Sequence, residues 1–215
     1  MTREEQAALV AWLRRSKVVW SAVTEQLEEG GSVRTAATGA LPAQGTLFDV
    51  TPTDDVQKAA ADLDRWARAG IRMISVLDRE YPSNLRMIHQ RPPVLFLRGT
   101  TDERDAMSVA VVGTRQATPE GVEQAKELAA GLAARGVPVI SGLAAGIDTA
   151  AHTAALAAGG RTVAVIGTGA AEEVAASLRS RLVPDEVSLK FGLKVSGGVN
   201  WFFAKARRSR HPSRP

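Results

Sequence analysis

The sequence predicts an α/β protein: a Rossmann-like parallel βαβαβ sheet, preceded by a small helical domain and followed by a short β-hairpin-like segment. Three observations carry that prediction. Apolar runs and alanine-rich helical stretches alternate through residues 107–169 with short connections, the pattern of parallel strands joined by crossover helices. Each of those runs ends in a glycine-containing turn. Outside this core, residues 3–29 and 54–69 repeat apolar positions at helical spacing, whereas 187–195 alternate apolar and polar residues at period two.

Taken in order, Ala8, Leu9, Trp12 and Leu13 recur at i, i+3 and i+4 spacing, and Val18, Val19, Val23 and Leu27 continue the pattern after a break. Gly30 and Gly31 stop that second helix, and residues 30–46 read as a polar linker. A third helix at 54–69 puts Val56, Ala60, Leu63 and Trp66 on one side and is capped by Gly70. Short strands follow at 71–77 and 94–97, separated by Pro82 and by Pro92–Pro93. Residues 107–112 are a continuous apolar run, as expected of a strand buried on both faces. Pro119 opens a helix over 119–135 and Gly136 closes it. A strand at 137–140, a helix at 147–158 and a strand at 162–166 complete the unit. Beyond it, 171–181 suit a helix, and Gly197–Gly198 suit a hairpin turn returning through Trp201–Phe203.

The resulting plan is a helical N-terminal domain over 1–70, a linker with short strands over 71–106 and a Rossmann-like phosphate-binding domain over 107–170. A small α+β segment over 171–206 and a disordered basic tail over 207–215 follow.

Composition narrows the function classes. The formal net charge is +4, compatible with nucleic acid but small, and Arg207, Arg208, Arg210 and Arg214 place much of it in the tail. With no cysteine, disulfides, thiolate catalysis and cysteine zinc sites are excluded. His89, His152 and His211 are too scattered for a metal site. No secretory signal and no apolar stretch of about 18 residues is visible, so the expectation is a cytoplasmic protein without a membrane partner.

The chemistry sits in the three turns: Gly113, Thr114 and Arg115 after the first strand, Ser141 to Gly146 after the second, Gly167 and Gly169 after the third. In an open parallel sheet these carboxyl ends form the ligand crevice. Glycines let backbone N–H groups approach an anion, and the following helices aim their N-termini at it. Arg115 adds a guanidinium fork suited to phosphate. Ser141 offers a hydroxyl donor, with Thr118 nearby. Asp148 is placed to cap the second helix or organise its loop. His152, one turn further on, reads as a packed residue rather than a catalyst. The full G-x-G-x-x-G pattern with a downstream acid is missing, as is a Walker A motif, which disfavours a dinucleotide enzyme.

Val111-Val-Gly-Thr-Arg115 with Ala117–Thr118 and Gly121, Ile140-Ser-Gly-Leu-Ala-Ala-Gly-Ile-Asp148 with Ala151–His152, and Gly159-Gly-Arg-Thr-Val-Ala-Val-Ile-Gly167 with Gly169 together resemble the DNA-processing protein A (DprA, or Smf) family. Tyr81–Pro82 and Pro92-Pro-Val-Leu-Phe-Leu-Arg-Gly99 resemble the segment leading into that family's Rossmann domain. The resemblance implies a non-catalytic module that binds single-stranded DNA and assists a RecA-type recombinase, with no metal and no cofactor. It implies a phosphate-binding set of Gly113, Thr114, Arg115, Ser141, Gly142, Leu143, Ala144, Gly146, Asp148, Arg161, Gly167 and Gly169. After the third turn the chain departs from the family with Ala170-Ala-Glu-Glu-Val174, and no aromatic stands between Phe96 and Phe191 for base stacking. The family's later strands, winged helix and dimer surface are therefore expected to be missing, which weakens the homodimer the family would imply. Residues 183–206 are similar to a small domain found beside trypsin-like peptidases in bacterial defence systems. The competing readings are a nucleotide-sensing Rossmann module in such a system and, third, an enzyme cleaving a nucleotide's glycosidic bond.

Overall fold

The computed structural model describes residues 1–15, 18–30 and 53–166, together with the backbone of 187–188 and 205–206. These residues fall into two compact units that divide between Phe96 and Leu97, inside the segment expected to be a linker.

The first unit begins with α1 (Arg3–Leu13). Thr2 accepts a hydrogen bond from Glu5 N at 3.2 Å while the Glu5 carboxylate accepts from Thr2 N at 2.8 Å, so two orphan donors of the first turn are satisfied reciprocally. Helices α2 (Trp20–Gly30) and α3 (Thr53–Arg68) follow, with α1 packed on α3 and α3 on β1 (Ile71–Ser75). Arg14 pairs with Asp62 at 2.6 Å and lies over the Trp66 ring, which meets Phe96 edge-on at 4.9 Å. A four-residue α4 (Ser83–Arg86) separates β1 from β2 (Val94–Arg98), its two-strand partner. The intervening turn is tied down by Tyr81, whose buried hydroxyl donates to Pro92 O at 2.7 Å.

In the second unit a 3₁₀ turn, η1 (Glu103–Met107), leads into β3 (Val109–Ala110), α5 (Pro119–Ala134), β4 (Val139–Ser141), α6 (Ile147–Ala157) and β5 (Thr162–Ala164). The strands are parallel in the order β3-β4-β5, with Val109 beside Val139 and Val139 beside Thr162. This is the expected βαβαβ unit. Its core is built of small residues: Ala129 and Ala133 of α5 meet Ala151, Ala154 and Ala155 of α6 over Val111 and Val139. Short side chains bring the two helix backbones close together while leaving few voids.

One expectation fails here. The run 107–112 is not a strand buried on both faces: β3 is two residues long, Val109 is 39% exposed and Val112 71%. The reason is topological. Among the described residues β3 pairs with β4 alone, so it is an edge, and only Val111 of its apolar run turns fully into the core. In the region expected to form a hairpin, β6 (Val187–Ser188) pairs antiparallel with β7 (Lys205–Ala206); the expected helix over 171–181 and the return through 201–203 lie outside the described residues. No described helix is long and apolar enough to cross a membrane.

Opposite the glycine turns, Arg161 enters β5 and closes a bidentate ion pair with Asp105 of η1, both side chains being less than a tenth exposed. Its Nη2 also donates to Thr100 O at 3.0 Å. Removing one partner of such a pair leaves an uncompensated buried charge. Asp105→Ala is therefore expected to lower unfolding free energy by about 3–5 kcal/mol in a urea titration. An unchanged midpoint would show the pair to be idle.

Candidate phosphate-binding site

Because the strands run parallel, the turns after β3 and β4 emerge at the same end of the sheet, and the structure brings these two loops into direct contact. Gly146 carries the contact. Its φ of 83° lies in the left-handed region, and a Cβ there would overlap Thr114 O and stand 2.8 Å from Arg115 O. Ile147 N then donates to Thr114 O at 3.3 Å. On the other side of the seam a Cβ at Gly113 would stand 2.6 Å from Ile147 Cγ1. The space these glycines leave open is thus filled by the neighbouring loop. One role of these glycines is to let the two loops close on each other.

The second loop is held from beneath. Ala144 N donates to Asp148 Oδ2 at 3.3 Å, and Ala144 O accepts both Thr149 N at 3.2 Å and Thr149 Oγ1 at 2.7 Å. Between these anchors Leu143 adopts φ 64°, unlike any other non-glycine described, a conformation that costs a branched side chain about 1–2 kcal/mol. Gly142 lies directly against the Asp148 carboxylate. Gly146, not Asp148, is the helix N-cap, so of its two expected roles Asp148 performs the loop-organising one. Sequence reasoning misses Thr149. Its position early in the helix, next to a motif acid, is the signal that could have found it.

What faces outward is Arg115. Its side chain is exposed and makes no hydrogen bond or ion pair with any described residue. Thr114 is exposed too, and its Oγ1 accepts from Gln116 N at 3.1 Å. Thr118 caps α5, accepting from Gly121 N at 3.2 Å. Among the described residues nothing accepts from the N–H groups of Gly113, Thr114, Arg115, Leu143 or Gly146. One free guanidinium and a set of uncommitted amide donors on two touching loops can hold an anion.

Two expected members of the set lie elsewhere. Ser141 is buried, and its hydroxyl donates inward to Val111 O at 2.6 Å, bonding β4 to β3. A buried hydroxyl must find a local acceptor, and the neighbouring strand supplies it. Arg161 is committed to Asp105 at the opposite end of the strands, as described above. Gly167 and Gly169 lie outside the described residues, although the chain enters that third turn beside the second, with Val165 N donating to Ser141 O at 2.8 Å.

His152 is 1% exposed, with Nδ1 2.7 Å from Thr162 Oγ1. Burial outweighs the nearby Asp148 carboxylate and lowers its pKa from 6.5 to about 4. It is a core residue, as the sequence indicated.

The stretch that holds these loops also matches a known family. Residues 72–190, more than half of it, match the family model described as DNA recombination-mediator protein A. The chain belongs to that family. DNA processing protein DprA of Streptococcus pneumoniae is 47% identical over 95 residues, covering 44% of this chain and 33% of that protein. The putative DNA processing protein DprA of Mycobacterium tuberculosis is 43% identical over 128 residues, 54% of this chain and 33% of that one. Protein Smf of Synechocystis is 42% identical over 96 residues, 43% of this chain and 24% of its own. The X-ray structure of DNA processing protein A from Streptococcus pneumoniae superposes with a TM-score of 0.54 at 28% identity, over 79% of this chain and 59% of that one. The matched stretch amounts to a third or less of these curated relatives.

Two outcomes test the site's construction. Gly146→Ala forces Thr114 and Arg115 away from the second loop, and is expected to cost about 1–3 kcal/mol; wild-type stability would show the seam to be slack. His152 sets a pH dependence. Above pH 6.5 it is neutral in both states. As pH falls from 6.5 to about 4 the unfolded chain takes up a proton that the folded chain refuses, and stability declines by about 3 kcal/mol. Below that both states are protonated and the loss ends. Denaturant midpoints should fall less steeply over that window in His152→Gln than in the wild type; parallel profiles would contradict the assignment.

Proposed function

We propose that the chain is a single-stranded-DNA-binding member of its family, acting in the cytoplasm in DNA uptake, recombination or repair and assisting the loading of a RecA-type recombinase. The backbone phosphates would lie across the first two loops, held by Arg115 and the uncommitted amides of Gly113, Thr114, Arg115, Leu143 and Gly146. The observation that carries this reading is the exposed Arg115 guanidinium, without a partner among the described residues, at the point where the two loops touch. Amides and a guanidinium reach phosphate oxygens, not base edges, so binding would be salt-dependent and nearly blind to sequence.

No catalytic step enters the proposal. Asp148 is turned inward onto Ala144 and Glu120 is exposed at the start of α5, so these two carboxylates do not form a pair for acid–base work. A homodimer of the kind the family resemblance implied would need surfaces besides these loops.

Anisotropy of a labelled oligonucleotide tests the reading. Arg115→Ala should weaken binding by about 10- to 100-fold, as expected when a charge-assisted hydrogen bond is removed. The slope of log affinity against log salt should also become shallower by about 0.7 for each phosphate the variant no longer neutralises. Arg161→Lys, altering the buried guanidinium, should leave the affinity of the folded protein unchanged. Equal affinity of wild type and Arg115→Ala would remove the proposal.

A further inference from the structure

The strongest unexplained feature lies beneath the second loop, where two buried polar atoms have no hydrogen-bond partner among the described residues: Asp148 Oδ1 and His152 Nε2. Both belong to α6 and stand one turn apart on one face. The other atom of each group is committed. Asp148 Oδ2 receives Ala144 N–H. His152 Nδ1 meets Thr162 Oγ1 at 2.7 Å, and the Thr162 hydroxyl donates onward to Val139 O at 2.9 Å. That hydroxyl has one hydrogen for two contacts, and when Val139 O receives it the Nδ1 atom of His152 supplies the proton of its own bond. In that tautomer Nε2 is an acceptor. Two acceptors cannot satisfy each other, and the groups form no direct bond.

We propose that His152 carries its proton on Nδ1 and that a single buried water molecule bridges Asp148 Oδ1 and His152 Nε2, making His152 a positioning residue for the second loop. Water has two O–H donors, the number required, and polar sites of this kind are where buried waters reside. A metal ion fits less well: it would want three or more protein donors, and no such group of His, Asp or Glu occurs among the described residues. The mechanical consequence is specific. Thr162 fixes the His152 ring to the sheet, the water passes that fixed point to Asp148, and Asp148 holds Ala144. The loop is thereby referenced to β4 and β5 rather than to its own helix alone. The functional consequence rests on the reading of the loops as a phosphate site; the bridge itself does not.

Imidazole nitrogen and water cross-relaxation spectra of the wild-type protein test the bridge without any DNA, His152 being identified by comparison with His89→Gln and His211→Gln. At pH 7 the expected pattern is a protonated Nδ1, an unprotonated Nε2 and a cross-peak from His152 ring protons to a long-lived water. A protonated Nε2, turned toward the Ser141 backbone, or no water cross-peak, would overturn the proposal. Hydrogen exchange of His152→Phe, which keeps the ring volume and removes the acceptor, tests the positioning role. Exchange at Ala144 should quicken at least tenfold while the amides of α5 keep their protection. Unchanged exchange at Ala144 would overturn that role, and general loss of protection would pass the decision to Asp148→Asn, for which the same selective change is expected. If the bridge is found and oligonucleotide binding is not, the reading of the loops fails and the bridge stands.

Discussion

The second unit depends on one close approach, the backbone of Gly146 against the carbonyls of Thr114 and Arg115. Strand order places the two loops at one end of the sheet, but it does not make them touch. Contact requires a residue with no Cβ in the left-handed region, followed by an N–H aimed at Thr114 O, and Gly146–Ile147 supplies both. From this seam follow the entry of α6 close to the first loop, the packing of Ile147 against Gly113 and the outward projection of Arg115. A loosened seam would leave the sheet and helices standing and separate the donors.

The two ends of the strands put arginine to opposite uses. Arg161 is sealed among Asp105 and Thr100 and fastens η1 to β5. Arg115, at the crevice, has no partner among the described residues. A desolvated guanidinium must be paired to be tolerated, whereas an exposed one costs little to leave open. Local surroundings, not residue type, decide which arginine can serve a ligand. The small core serves the same end: alanine-faced α5 and α6 form a rigid support for loops that carry a strained Leu143.

Most of the core fold was legible in the sequence because its signals are local. Pro119 and Gly136 bracket α5, Gly159 and Gly160 end α6, and three apolar runs alternate with the helices. The run 107–112 misled because hydrophobicity reports what a strand can bury, not whether a neighbour is present to bury it; Val112 is exposed on an edge. The loop motifs located the site but not the roles within it. Ser141 and Arg161 stand in the two motifs that follow the one carrying Arg115, and only the fold reveals that one faces the neighbouring strand and the other the far end of the sheet. The Asp105–Arg161 pair joins residues 56 apart in sequence, a separation no local pattern encodes.

The central claim is that the first two loops act as one anion-gripping surface. Amide shift mapping during titration with a single-stranded oligonucleotide tests it most directly. Shifts are expected to concentrate at Gly113–Arg115 and Gly142–Gly146, moving together along one binding curve, with α1 and α3 unaffected. Shifts confined to other surfaces, or the two loops responding at separate concentrations, would contradict it.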